Sequence, residues 1–192
     1  MSVAMEDGAR RNRITVDEYL RMAEDGSLAP DARVELIDGV IIDMPPIGSP
    51  HAAMVRRLDA LLQRTVGSRA IISCQSPMLL RPDSMPQPDL ALALPCRDFY
   101  EKQHPNATDT LLAIEVSDTT LADDLRRKTA LYARHGIKEY WVVDIANRRL
   151  HVFRDPVHGR YEQTSSTDRP GIMEITTLPG TSVDLSSLFR TD

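Results

Sequence analysis

The chain has 192 residues, 42% of them apolar and 27% charged, with a formal net charge of −5. That length and apolar content suit one domain with a sizeable core and set aside the fibrous and disordered classes. The excess of acids argues against bulk attraction to a polyanion, while leaving room for a local basic groove or a metal-bridged phosphate. Cys74 and Cys96 show no ligand spacing; they read as two free buried thiols of a reducing compartment, with one disulfide as the alternative. Residues 1–13 lack the apolar stretch of a signal peptide, and no run approaches the ~20 apolar residues that span a bilayer. A cytoplasmic protein without membrane spans is expected, with residues 1–13 disordered and 14–192 forming a single domain.

Thr15 and Glu18 form a capping box that opens a helix, VDEYLRMAED, with Gly26 as its stop. RVELIDGVIIDM follows, and its Asp38–Gly39 pair is a two-residue turn between apolar strands. Ser49 and Pro50 start a second helix that runs to about Val66, with Met54, Leu58, Leu61 and Thr65 on its inner stripe and His51 one turn earlier. Strands are expected at RAIISCQ, MLLR, PDLALAL and LLAIEVS. Thr120 and Asp123 read as another capping box, opening LADDLRRKTALYARH, which Gly136 ends. EYWVVD and RLHVFR form a hairpin across Ile145–Asn147, and short strands YEQTS and IMEITT lie in the tail. The fold class is therefore α/β in the α+β sense, a mixed central sheet flanked by helices.

Glu115 is out of place in LLAIEVS, because a carboxylate in a buried strand costs several kcal/mol unless it is paired or holds a cation. Alternation puts Leu112, Ile114 and Val116 on one face and Ala113, Glu115 and Ser117 on the other. Residues 89–94 behave alike, with Leu90, Leu92 and Leu94 opposed to Asp89, Ala91 and Ala93. An antiparallel register that sets Leu94 opposite Thr110 sets Asp89 opposite Glu115, their Cβ atoms roughly 5 Å apart. Two such carboxylates repel, so one pKa rises or a cation bridges them. The alanines would leave space for that cation and a substrate.

At about 100° per residue, Leu121, Leu125, Lys128 and Tyr132 share a stripe, with Asp124 on its edge. The lysine thus aims at the sheet while Arg126, Arg127 and Arg134 face outwards. A snorkelling stem is the plainer meaning of such a lysine, and an ammonium beside Glu115 and Asp89 the sharper one.

VELIDG (34–39), His51 at a helix start, PQPDL (86–90), AIEVSDTT (113–120) and DLRRKTALYARHGIKEYWVVD (124–144) occur in this order. The series resembles a bacterial restriction-endonuclease family, once filed as a domain of unknown function, with the PD-(D/E)xK nuclease fold. The usual signature of that fold places lysine two residues after the second acid, where Ser117 stands here. The resemblance implies that the lysine has moved to the next helix, at Lys128. It implies Asp89, Glu115 and the Val116 carbonyl as ligands of Mg2+ or Mn2+, Glu35 as a further catalytic acid, and Lys128 as the group that orients water or stabilises phosphate charge. His51, Ser117 and Asp124 are expected around them, Asp124 with the alternative of simply pairing with Lys128. Tyr132 and Trp141 read as core. A metal-dependent endonuclease acting on nucleic acid, most naturally DNA, and a homodimer follow as expectations. A nuclease-fold binding or regulatory module and hydrolysis of another phosphate ester are the competing readings.

Overall fold

The computed structural model describes residues 13–29 and 31–190. The disorder expected for residues 1–13 falls, apart from Arg13, outside the described residues.

Helix α1 (Val16–Glu24) carries the expected capping box: the Thr15 N–H donates to Glu18 Oε2 at 2.8 Å, and the Glu18 N–H donates to Thr15 Oγ1 at 3.2 Å. Strands β1 (Val34–Ile37) and β2 (Val40–Asp43) pair antiparallel around Asp38 and Gly39, whose φ values are 51° and 73°. Two successive positive φ angles are what a two-residue hairpin turn demands. A Cβ on Gly39 would also lie 2.5 Å from that of Arg13, so the position is closed to other residues twice over. Val16 and Tyr19 pack on Val34 and Leu36, which fixes the hairpin against α1.

Helix α2 (Ser49–Val66) begins one residue earlier than expected, at Ser49 rather than Pro50. Gly48 is the N-cap, with no side-chain bond, and Ser49 is the first helical residue. Its buried stripe is Met54, Val55, Leu58, Leu62 and Val66, rotated from the expected one because the row i, i+4, i+8 meets the sheet. The six-stranded sheet runs β3 (Ile71–Cys74), β4 (Leu90–Ala93), β5 (Thr110–Ser117), β6 (Glu139–Asp144), β7 (Arg149–Val157) and β8 (Arg160–Thr167), in that spatial order. Only β5 and β6 are parallel. MLLR is not a strand; Leu79 and Leu80 make isolated bridges only. Two short strands close the chain, β9 (Ile172–Glu174) and β10 (Ser182–Asp184).

The β4–β5 register follows the expected one at the end nearer Asp89, with Leu90 opposite Ile114 and Leu92 opposite Leu112. A bulge between Leu92 and Ala93 then slips the far end by one, so Ala93 rather than Leu94 faces Thr110. The bulge reverses the alternation: Ala93 is buried and Leu94 is exposed, against expectation. The leucine face packs under α2 and the C-terminal Ile175, Val183, Leu185 and Leu188. The slim face is filled as well. Tyr132 and Tyr140, their rings 4.8 Å apart, pack over Ala91 and Ala113, so the alanines admit a helix and not, as expected, a substrate.

That helix joins the two parallel strands. Leu121–Asp123 (α3) continues into a π-helical segment, Asp124–Lys128, and then Thr129–Arg134 (α4). The Thr129 N–H reaches back five residues to the Asp124 carbonyl, which also accepts from Thr129 Oγ1 at 2.9 Å and Tyr140 OH at 3.2 Å. Thr120 forms no capping box. Its hydroxyl is spent on Asp124 instead.

Glu139 opens β6 with no exposure to solvent. It accepts from Trp141 Nε1 and Arg154 Nε, each at 2.9 Å, and from the Thr176 N–H at 2.8 Å, tying β6, β7 and the C-terminal segment together. Glu139→Ala removes the carboxylate partner of the partly buried Arg154 guanidinium and leaves the Trp141 and Thr176 donors unpaired, a loss of about 3–5 kcal/mol. A thermal melt of this variant followed by circular dichroism should fall by roughly 6–20 °C.

Candidate active site

Four elements bring their polar side chains to the carboxyl end of β5. Glu35 lies in β1 between Val34 and Leu36, which α1 covers, so the alternation turns Glu35 the other way. Met85 and Leu36 exchange backbone bonds of 2.7 and 3.4 Å, zipping residues 85–89 alongside β1. The Gln87 N–H then donates to Glu35 Oε2 at 3.2 Å, and Gln87 Nε2 holds the Val34 carbonyl at 3.0 Å. Asp89 follows, one step beyond the Leu90–Ile114 pair, which places it across from Glu115.

Lys128 fills the space among these acids. Its Nζ lies 3.0 Å from Glu115 Oε1 and 3.3 Å from Glu35 Oε2. Tyr132, one turn on, donates to the same Glu115 oxygen at 2.9 Å. Asp89 is held apart from the lysine: Oδ2 accepts from the Val116 N–H at 2.8 Å and faces His51 Nε2 at 3.0 Å, while Oδ1 accepts from Gln75 Nε2 at 3.0 Å. Asp124 does not make the expected pair with Lys128. The wide turn points it at Ser117 Oγ, 2.6 Å away, and Thr120 Oγ1, 2.7 Å away.

Burial pushes the Glu115 carboxyl well above its usual range; Lys128 opposes this, while Asp124, Asp89 and Glu35 add to it. The Asp124 carboxyl is also raised by burial, with Lys128 and the two hydroxyls opposing. Burial works against the Lys128 charge, yet Glu115, Glu35 and Asp124 outweigh it and the ammonium holds its proton more firmly than usual. The two directions agree physically, because the lysine faces several carboxylates and Glu115 faces one ammonium among like charges. The Asp89 hydrogen bond raises the His51 pKa. For Asp89, burial is the largest influence and works upwards, but His51, Gln75 and the Val116 N–H together bring it below its usual value.

The four acids, Lys128, His51, Gln75 and Gln87 line one cavity of about 400 Å3, together with Met44–Ile47 and Asp118–Thr120. The sequence matches the family described as "Uma2: Putative restriction endonuclease" over residues 16–186. The chain belongs to that family. Among solved structures it is similar to a "putative nuclease belonging to DUF820" from Anabaena variabilis, at 19% identity, with a TM-score of 0.69 and 92% of this chain and 97% of that one covered. The likeness to that structure concerns the fold. No curated protein matches the chain.

In this Uma2 chain, each acid expected at the site lines the shared cavity, and so do Lys128, His51 and Val116. Ser117 stands just behind, bound to Asp124. Gln75 and Gln87 escaped the sequence reading, although Gln87 lies two residues before Asp89 and so on its side of an extended chain. Tyr132 is core, as expected, and also binds Glu115; its spacing of four from Lys128 carried that signal. Arg127 is exposed, as expected, and it also stands at the cavity mouth with Asp123 3.2 Å away. Among the described residues, no three His, Cys, Asp or Glu side chains stand as a ready metal cage, because Lys128 sits between Glu115 and Glu35 and Asp89 is turned to His51 and Gln75.

A carboxyl raised by folding contributes stability below its unfolded pKa, and that contribution is lost as pH rises through the folded value. For Glu115 it is therefore fully present below about pH 4.5 and declines as pH rises above that value. Glu115→Gln, which still accepts from Lys128 and Tyr132, should raise the neutral-pH melting temperature of the metal-free protein by about 2–4 °C per kcal/mol relieved. The difference should vanish when the same melts are run near pH 4.

Proposed function

We propose that this Uma2 chain is a divalent-metal-dependent endonuclease that hydrolyses phosphodiester bonds in DNA. The observation that carries the reading is a buried lysine held between Glu115 and Glu35 in a cavity that also contains Asp89 and Asp124. A structural ion pair needs one acid. This site confines several around a single ammonium, and such surplus charge suits a cation. The donors are hard oxygens, which fit Mg2+ or Mn2+, and these ions take one or two carboxylates with waters and phosphate oxygens, so a full protein cage is not required.

Asp89 and Glu115, with the Val116 carbonyl beside them, would hold the ion. When bound, it supplies Lewis-acid polarisation of the phosphodiester and acidifies a water. Lys128 places a charge where negative charge grows on phosphorus, or orients the attacking water. Glu35, anchored by the Gln87 N–H, would serve as the general base. Tyr132 fixes the Glu115 carboxylate, and His51 and Gln75 fix that of Asp89. A homodimer, which the family likeness implies, would present two such cavities.

Supercoiled plasmid and circular single-stranded DNA, incubated with Mg2+ or Mn2+, test the chemistry without free ends. Wild type should cut at least one of them, and Asp89→Asn and Glu115→Gln should each cut about 100- to 1,000-fold more slowly while keeping their circular dichroism spectra, whereas Lys128→Ala should stop cutting and also lower the melting temperature, because it strips the counterion from buried carboxylates. A wild type inert with both ions, or cutting that survives in every variant, defeats the proposal. His51→Ala should weaken Mn2+ binding, measured by calorimetry, by about 10- to 100-fold, since it removes a support of Asp89 rather than a ligand.

A further inference from the structure

Glu35, Asp89, Glu115 and Lys128 expose only 5%, 8%, 4% and 6% of their surfaces, and they stand inside a walled cavity of about 400 Å3. That volume is on the scale of a pocket for one small ligand, which typically spans about 300–1,000 Å3. One wall is Met44, Pro45, Pro46 and Ile47, between β2 and α2, with Ile47 still 40% exposed. Asp118–Thr120 and the start of the α3–α4 helix line the cavity as well. Asp43, Asp118 and Asp123 add further acids to the lining, against Arg33, Arg127 and Lys128. A second, more open hollow shares Thr119, Thr120, Asp123 and Arg127 with the first and adds Ala122 and Arg126.

We infer that the cavity admits an unpaired nucleic-acid strand, one nucleotide at a time, and excludes an intact duplex. This rests on the nuclease reading and narrows its substrate. Three physical observations support it. A scissile phosphate must descend between the cavity walls to reach acids this deeply buried; a single strand bends its backbone into that space freely, whereas a stiff duplex must be deformed to follow. A duplex carries one phosphate charge per ~1.7 Å of axis, and a lining on which Asp43, Asp118 and Asp123 match Arg33, Arg127 and Lys128 offers no net positive charge to hold that density. The Met44–Ile47 wall is uncharged and apolar, which suits the flat face of a base whatever its identity. The adjoining hollow, with Arg126 and Arg127, receives the next phosphate along the strand, and the 3.2 Å contact from Arg127 Nε to Asp123 Oδ1 fixes that guanidinium on the shared rim.

The test uses one labelled sequence as a single strand, as a blunt duplex and as a duplex with an unpaired flap, each with the full chain and Mn2+. Cleavage of the single strand and the flap should exceed that of the blunt duplex by at least about 10-fold, with the flap cut in its unpaired part. Ile47→Asp and Arg126→Ala, both on the rim, should each raise KM for the single strand with little change in kcat. A blunt duplex cut as fast as the single strand, or an Ile47→Asp variant with unaltered KM, overturns the inference while leaving a nuclease in place. If nothing is cut, the nuclease reading fails by itself. Fluorescence anisotropy with the same three probes then decides the strand preference, and duplex binding equal to or tighter than single-strand binding overturns it.

Discussion

The arrangement turns on a single ammonium. Lys128 reaches from the crossover helix to Glu115 in the centre of the sheet and to Glu35 in a separate hairpin, so one side chain joins three elements that share no backbone ladder. Removing it would leave adjacent carboxylates buried without a counterion, the costliest arrangement a protein interior can hold. The cavity walls, the positions of Tyr132 and Gln87, and the entry of the helix onto the sheet all follow from keeping that charge neutralised.

Glu139 shows what a buried acid looks like when its task is structural. Its oxygens are taken by Trp141, Arg154 and Thr176, it lines none of the cavity, and it fastens neighbouring strands. Glu115 is equally buried, but it sits among Asp89, Asp124 and Glu35 with too little positive charge to go round. The number of nearby carboxylates separates the two cases, where depth of burial alone does not.

Much of this was legible in the sequence, because the relevant signals are local and periodic. The Asp38–Gly39 turn, the Thr15–Glu18 box, the interrupted strand at Glu115 and the inward stripe of Lys128 each follow from spacing over a few residues, and the β4–β5 register follows from matching apolar faces. What remained hidden depends on tertiary detail. The Leu92–Ala93 bulge, the use of the alanine face by tyrosines, and the roles of Gln75 and Gln87 are decided by which segments lie side by side. The start of the crossover helix was misread for the same reason: at 100° per residue Asp124 is a partner of Lys128, and only a wider turn sends it to Ser117 and Thr120.

That wider turn matters beyond the placing of one aspartate. Segments of this kind often sit where function needs a residue that an even spiral would misplace. Here the Asp124 carbonyl, released from the usual ladder, is grasped by Thr129 from within the helix and by Tyr140 from the neighbouring strand. The height of the lysine above β5 is thus anchored in the main chain as well as in its own rotamer. A slide of β6 along β5 would drag the helix through that carbonyl, so the spacing between ammonium and carboxylate is geared to the parallel strand pair.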